Sequence, residues 1–99
     1  MDRETERIVW YLLGATRGGP MRFKILKKIM STPGNRNSIA NSLGVNYRTV
    51  QHHLDILLKN GFIMEEGAGY GKTYFPSPKI ENNFMEIQEL MRKKGLLND

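Results

Sequence analysis

Between residues 35 and 61 caps and breakers follow one another closely. They leave room for one short helix, a three-residue turn and one longer helix. Asn35 or Asn37 can open a helix over Arg36–Leu43 by accepting a backbone N–H at its first turn. Leu43-Gly44-Val45 makes a tight turn, Asn46 caps a second helix over Tyr47–Asn60, and Gly61 stops it. On that second helix Val50, Leu54, Leu57 and Leu58 fall on one side, and Arg48, Gln51, His52, Asp55 and Lys59 on the other. Two helices joined by a glycine-containing turn of this length form a helix-turn-helix.

The flanking segments extend the pattern. Phe62–Glu65 and Lys72–Phe75 read as two short strands joined by Gly67-Ala68-Gly69-Tyr70-Gly71, a glycine-rich hairpin, and Pro76 and Pro78 end the second strand. Upstream, Pro20–Ser31 reads as a helix. Phe23, Ile25, Leu26, Ile29 and Met30 form its apolar face, and Lys24, Lys27 and Lys28 form the opposite one. Asp2–Thr16 is predicted as a first helix, with acids in its opening turn where the helix dipole favours them. Val9, Trp10, Tyr11 and Leu13, added to the Ile8–Leu12–Ala15 row, make its middle apolar nearly all round. Such a helix needs burial on more than one side, and 99 residues make only a thin core. A final helix over Ile80–Lys94 carries a stripe of Ile80, Phe84, Ile87 and Met91. That stripe serves either the chain's own core or a partner, and the surplus on the first helix favours the partner.

The net charge is +5, and residues 17–30 alone hold five basic residues and no acid. A local basic surplus favours an anionic partner. The solvent face near the start of the Tyr47–Asn60 helix offers Arg48, Gln51 and His52, with Tyr47 and Thr49 at its margins. Arg and Gln suit bidentate contacts with guanine and adenine edges, and the first turns of a recognition helix reach into the major groove. Tyr70 and Lys72 sit at the hairpin, placed for the DNA backbone or minor groove.

Three stretches carry a resemblance to a known family: TRGGPMRFKIL (16–26), NSIANSLGVNYRTVQHHLDILLKNGFI (37–63) and GYGKTYFPSP (69–78). Together they resemble the archaeal winged-helix transcriptional regulators related to the ArsR family, with TVQHHLDIL (49–57) the most specific part. The resemblance implies a dimeric DNA-binding regulator whose first and last helices build the dimer. It places Arg48, Gln51 and His52 at base-facing positions, and Tyr70 and Lys72 in the wing. Metal-sensing members use cysteines near the third helix, or histidine and carboxylates in the last helix. This chain has no cysteine, and residues 79–99 have no histidine, so no metal is expected.

Other signals fail on spacing. GAGYGKT (67–73) imitates a phosphate loop, but the glycine required five residues before Gly71 is Glu66, and a strand rather than a helix follows. His52 and His53 point about 100° apart on a helix and chelate one ion poorly. His53 falls at the edge of the apolar face, as a packed and hydrogen-bonded histidine would. No serine or carboxylate completes a catalytic set, so no enzyme activity is expected. The longest apolar run, Ile8–Leu13, is far short of the roughly 20 residues that span a bilayer. With no secretory signal and no cysteine, the expected location is the cytoplasm.

These readings predict one domain over 1–99, mainly α with a small β-hairpin: a winged helix-turn-helix core at 20–76, flanked by dimerisation helices at 1–17 and 79–95. The expected function is a homodimeric, sequence-specific regulator of transcription on double-stranded DNA, without cofactor, nucleotide or membrane partner. Arg48, Gln51 and His52 are the expected base readers. Lys24, Lys27, Lys28, Arg36 and Lys72 are expected to meet phosphates, and Ile8, Leu12, Ile80, Phe84, Ile87 and Met91 to form the dimer interface. The alternatives are an architectural DNA binder with little sequence preference, or a winged helix that docks proteins.

Overall fold

A computed structural model describes residues 1–95, and for Tyr70 its backbone alone. The first helix, α1, spans Arg3–Val9, and the Asp2 carboxylate caps it by accepting the Thr5 N–H at 2.7 Å. That hydrogen bond holds the Asp2 carboxyl below its ordinary range. The predicted single α-helix to Thr16 does not persist: Trp10–Ala15 widens into a π-helical turn before the backbone extends at Thr16. Helix α2 (Gly19–Ser31) then doubles back. Its start lies so near the end of the first helix that a Cβ on Gly19 would sit 2.5 Å from the Leu13 carbonyl oxygen.

Helix α3 (Arg36–Leu43) and helix α4 (Tyr47–Lys59) form the expected helix-turn-helix. Asn35 is the cap of α3, accepting from the Ser38 N–H at 2.8 Å, and Asn46 caps α4, accepting from the Arg48 N–H at 2.7 Å. Gly44 ends α3 with φ +65°, a left-handed conformation that glycine adopts without steric cost. After α4 come strands β1 (Ile63–Glu66) and β2 (Thr73–Pro76), antiparallel, with Met64 opposite Phe75 and Glu65 opposite Tyr74. Both begin one residue later than predicted. Phe62 is still tied to α4, its N–H donating to the Leu57 carbonyl at 2.9 Å. A single bridge between Gly34 and Tyr74 adds a third extended segment to the hairpin. Pro78 opens helix α5 (Pro78–Lys93) instead of only ending β2, because Ser77 supplies the cap and proline suits a first helical turn.

The buried side chains form one core drawn from all five helices and the hairpin. The terminal helices contribute to it. Leu12, Ile80, Ile87 and Met91, predicted at a dimer interface, are buried within the single chain, whereas Ile8 and Phe84 keep partial exposure. The physical reason is that the first helix meets several elements of its own chain. It packs on α2. Ile8, Tyr11 and Leu12 share a groove with Ile56, Lys59 and Asn60 at the end of α4. The amino terminus pairs with Glu86 of α5 at 3.0 Å, and the Lys94 ammonium, just past α5, lies 4.2 Å from the Trp10 ring centroid. Among the described residues no helix is long and apolar enough to cross a membrane.

Candidate nucleic-acid interface

The polar face of α4 is built by its amphipathic pattern. Val50, His53, Leu54 and Leu57 turn into the core, so the residues between them must turn out. Tyr47, Arg48, Thr49 and His52 are exposed, and Gln51 is half-buried. With the Asn46 cap already using its oxygen on the backbone, the Arg48 side chain projects freely from the first turn of the helix.

Helix α3 organises the neighbouring part of this face. The Arg36 guanidinium stacks on Tyr47, 4.7 Å from the ring centroid, a cation–π contact worth about 0.5–1 kcal/mol at an exposed site. Its Nη1 donates to Gln51 Oε1 at 3.1 Å, while Gln51 Nε2 donates to Asp55 Oδ1 at 2.8 Å. Both ends of the Gln51 amide are thus engaged, and reading a base requires it to exchange one of these bonds. Among the described residues the side chains of Arg48 and His52 make no such hydrogen bond, although the His52 ring lies edge-on to His53 at 5.1 Å.

An open cleft of about 520 Å³ separates the helix-turn-helix from the hairpin. Arg36, Asn37 and Gln51 line one wall, and Glu65, Lys72 and Tyr74 the other. Lys72 Nζ lies 3.5 Å from Glu65. Exposed pairs of this kind are worth little in water, so Lys72 can be drawn to a phosphate at small cost. Tyr70 occupies the single turn of 3₁₀ helix, Gly69–Gly71, at the hairpin tip.

None of the α2 lysines lines this cleft. Lys24 is exposed, Lys27 and Lys28 are half-buried, and Lys27 lies over the Phe23 ring at 5.0 Å. Lys27 shares a shallow depression with Met30, Ser31, Phe84 and Gln88, against α5 and not against α4. Arg22, part of the same basic run in the sequence, is not on the surface at all: it is 5% exposed. Its position three, four and seven residues before Ile25, Leu26 and Ile29 was the available signal, since that spacing is the apolar face of a helix. Asp55, four residues after Gln51 on the polar face, was reachable from the i,i+4 spacing, whereas Asn37, which completes the cleft, carried no comparable signal. Among the described residues no group of three or more histidine and carboxylate side chains is placed to hold a metal ion.

Residues 19–65, from the start of α2 to β1, match the sequence profile of the bacterial regulatory protein, arsR family. The fold is a winged helix-turn-helix. It superposes on the solution structure of the homodimeric winged helix-turn-helix DNA-binding domain of a possible ArsR-family transcriptional regulator from Mycobacterium bovis. The TM-score is 0.67 at 18% identity, over 97% of this chain and 90% of that one. Reduced HlyU from Vibrio cholerae matches with a TM-score of 0.66 at 17% identity, over 90% of this chain and 88% of its own. The transcriptional regulator BldR from Sulfolobus solfataricus matches at 0.68 and 20% identity, over 92% and 68%. No curated protein matches the chain by sequence.

Proposed function

We propose that this protein is a sequence-specific, duplex-DNA-binding regulator of transcription of the ArsR-related type, acting as a homodimer. The observation that carries the reading is the exposed first turns of α4. There Arg48 and His52 are exposed, beside the Arg36–Tyr47 stack and the hairpin bearing Lys72. Inserted in a major groove, this surface presents Arg48, His52 and a releasable Gln51 to base edges, with Tyr47 and Thr49 at its margins. Arg36 and Lys72 meet the flanking phosphates, and Tyr70 rides with the hairpin tip. Of the lysines at 24, 27 and 28, Lys27 lies against α5, and the three steer DNA at longer range more than they touch it.

The homodimer would use what the chain leaves exposed. Tyr11 is 62% and Met85 85% exposed, with Ile8 and Phe84 partly covered beside them in sequence. A twofold pairing would set two α4 helices about one DNA turn, roughly 34 Å, apart. Selection of bound sequences from random duplexes tests the whole reading. A near-palindromic consensus is expected. Retention of all sequences alike would favour architectural binding, and no retention at low salt would favour protein docking.

A further inference from the structure

The most unusual group in the molecule is the guanidinium of Arg22. It is 5% exposed, and among the described residues the ion pairs are Met1–Glu86, Arg7–Glu4, Lys72–Glu65 and Arg92–Glu89, so no carboxylate pairs with it. Three neutral acceptors, two at the end of the first helix and one on α4, surround it instead. Its Nε donates to the Leu12 carbonyl at 2.8 Å, Nη2 donates to Thr16 Oγ1 at 2.5 Å, and Nη1 meets His53 Nδ1 at 3.2 Å. A guanidinium has only donors, so Nδ1 must accept, and the His53 proton sits on Nε2. Gly18 closes over the contact: a Cβ there would stand 2.7 Å from Arg22 Nη1 and 2.9 Å from His53 Cε1.

We propose that Arg22 is a positioning residue for α4, and that its contact with His53 is an acid-sensitive latch joining the recognition helix to the end of the first helix. Protonated His53 has no acceptor left on its ring, so the hydrogen bond is lost and two cations face each other under Gly18. The latch then opens, and α4 loses its tie to Leu12 and Thr16. The titratable groups acting on the pair are Arg22 from α2, His52 beside it on α4 and, on Arg22, Tyr11 from the first helix. Burial first, then Arg22, then His52, hold the His53 imidazole below its ordinary range. A depressed histidine contributes stability that is present above the unfolded-state value and is lost as pH falls through the folded one. The window therefore lies on the acid side of about 6.5.

The consequence for DNA rests on the function proposed above, but the latch itself does not, so the test has separate arms. His52 is a second imidazole, exposed and next to His53 on α4, so the work is done in a His52→Gln background. NMR of the imidazole should show His53 titrating below the ordinary histidine value, and a value at or above it overturns the latch. Acidification from pH 7 to 5 should lower the thermal midpoint, with the folding equilibrium changing by up to about tenfold per pH unit within the window. Affinity of this variant for a duplex selected with the same variant, taken relative to its own value at pH 7, should fall alongside it. Adding His53→Gln keeps an acceptor for Arg22 without a titrating group, and should flatten both profiles. Equal acid loss in the two proteins overturns the proposal, and if the double variant fails to fold, the NMR titration decides. If the parent protein binds no duplex at pH 7, the DNA reading fails while the midpoint profile still judges the latch.

Discussion

Arg36 and Tyr47 face each other across the helix-turn-helix, with the guanidinium 4.7 Å from the ring centroid. The stack joins α3 to the first turn of α4 at the point where DNA is expected to arrive. It also keeps the Arg36 charge at the rim of the cleft, because stacking occupies the flat face of the guanidinium and leaves most of its edge donors unused.

Arg36→Gln and Lys72→Gln should each flatten the salt dependence of DNA binding, by about 0.9 in log–log slope for every phosphate left without its cation. The triple change of Lys24, Lys27 and Lys28 to Gln should move that slope less than either single change. Titrations of one duplex at several salt concentrations compare the three. A larger effect from the α2 lysines would show that DNA lies against α2 instead.

Arg48→Ala should weaken specific binding by about 1–3 kcal/mol and relax preference at one base position in each half-site. Arg48 is exposed and its side chain has no partner within the chain among the hydrogen bonds and ion pairs described. Folding stability should therefore stay within about 0.5 kcal/mol of the parent. Binding with unchanged affinity and preference would remove Arg48 from the readers.

The burial of the α5 stripe within the chain separates self-association from folding. Met85 is 85% exposed, whereas Ile87, two residues on, is fully buried. Met85→Glu should leave the thermal midpoint nearly unchanged and shift sedimentation towards monomer. Ile87→Ala should cost about 2–5 kcal/mol of stability through the cavity it leaves. A parent protein that sediments as a monomer at micromolar concentration would end the dimer proposal.

Gly19→Ala should destabilise the fold by about 1–3 kcal/mol, as overpacking typically does. The new methyl would meet the Leu13 backbone oxygen at 2.5 Å, and backbone yields less easily than a side-chain tip. Urea unfolding measures the loss, and an unchanged midpoint would mean that the first helix can slide away from α2.

The elements nearest the proposed DNA face were legible because their signals are local. A cap, a helical period and a stop are all written within a few residues of one another. Asn35, Gly44 and Asn46 each act within one turn, and α3 falls on the predicted residues. The strand boundaries moved because Phe62 still closes the end of α4 on Leu57, and because Tyr74 answers to Gly34, a bond that depends on where the segment before α3 comes to lie. The exposed character of Arg48 and His52 followed from helical period alone, but the engagement of Gln51 did not, since Arg36 reaches it from another helix.

By itself the sequence determined the order of helices, the turn between α3 and α4, and which side of α4 is apolar, because backbone hydrogen bonding and amphipathic period are properties of neighbouring residues. It also showed that the first helix needs cover on several sides. What supplies that cover was decided only in three dimensions, where α2, the end of α4 and α5 close around it and bury Ile80, Ile87 and Met91. The same closure takes Arg22 out of the basic surface and sets it against His53, 31 positions away in the chain. Apolar surface and charge are countable along a sequence. Whether a given side chain meets water, its own chain or another molecule depends on which distant segments pack against it, and only the tertiary arrangement states that.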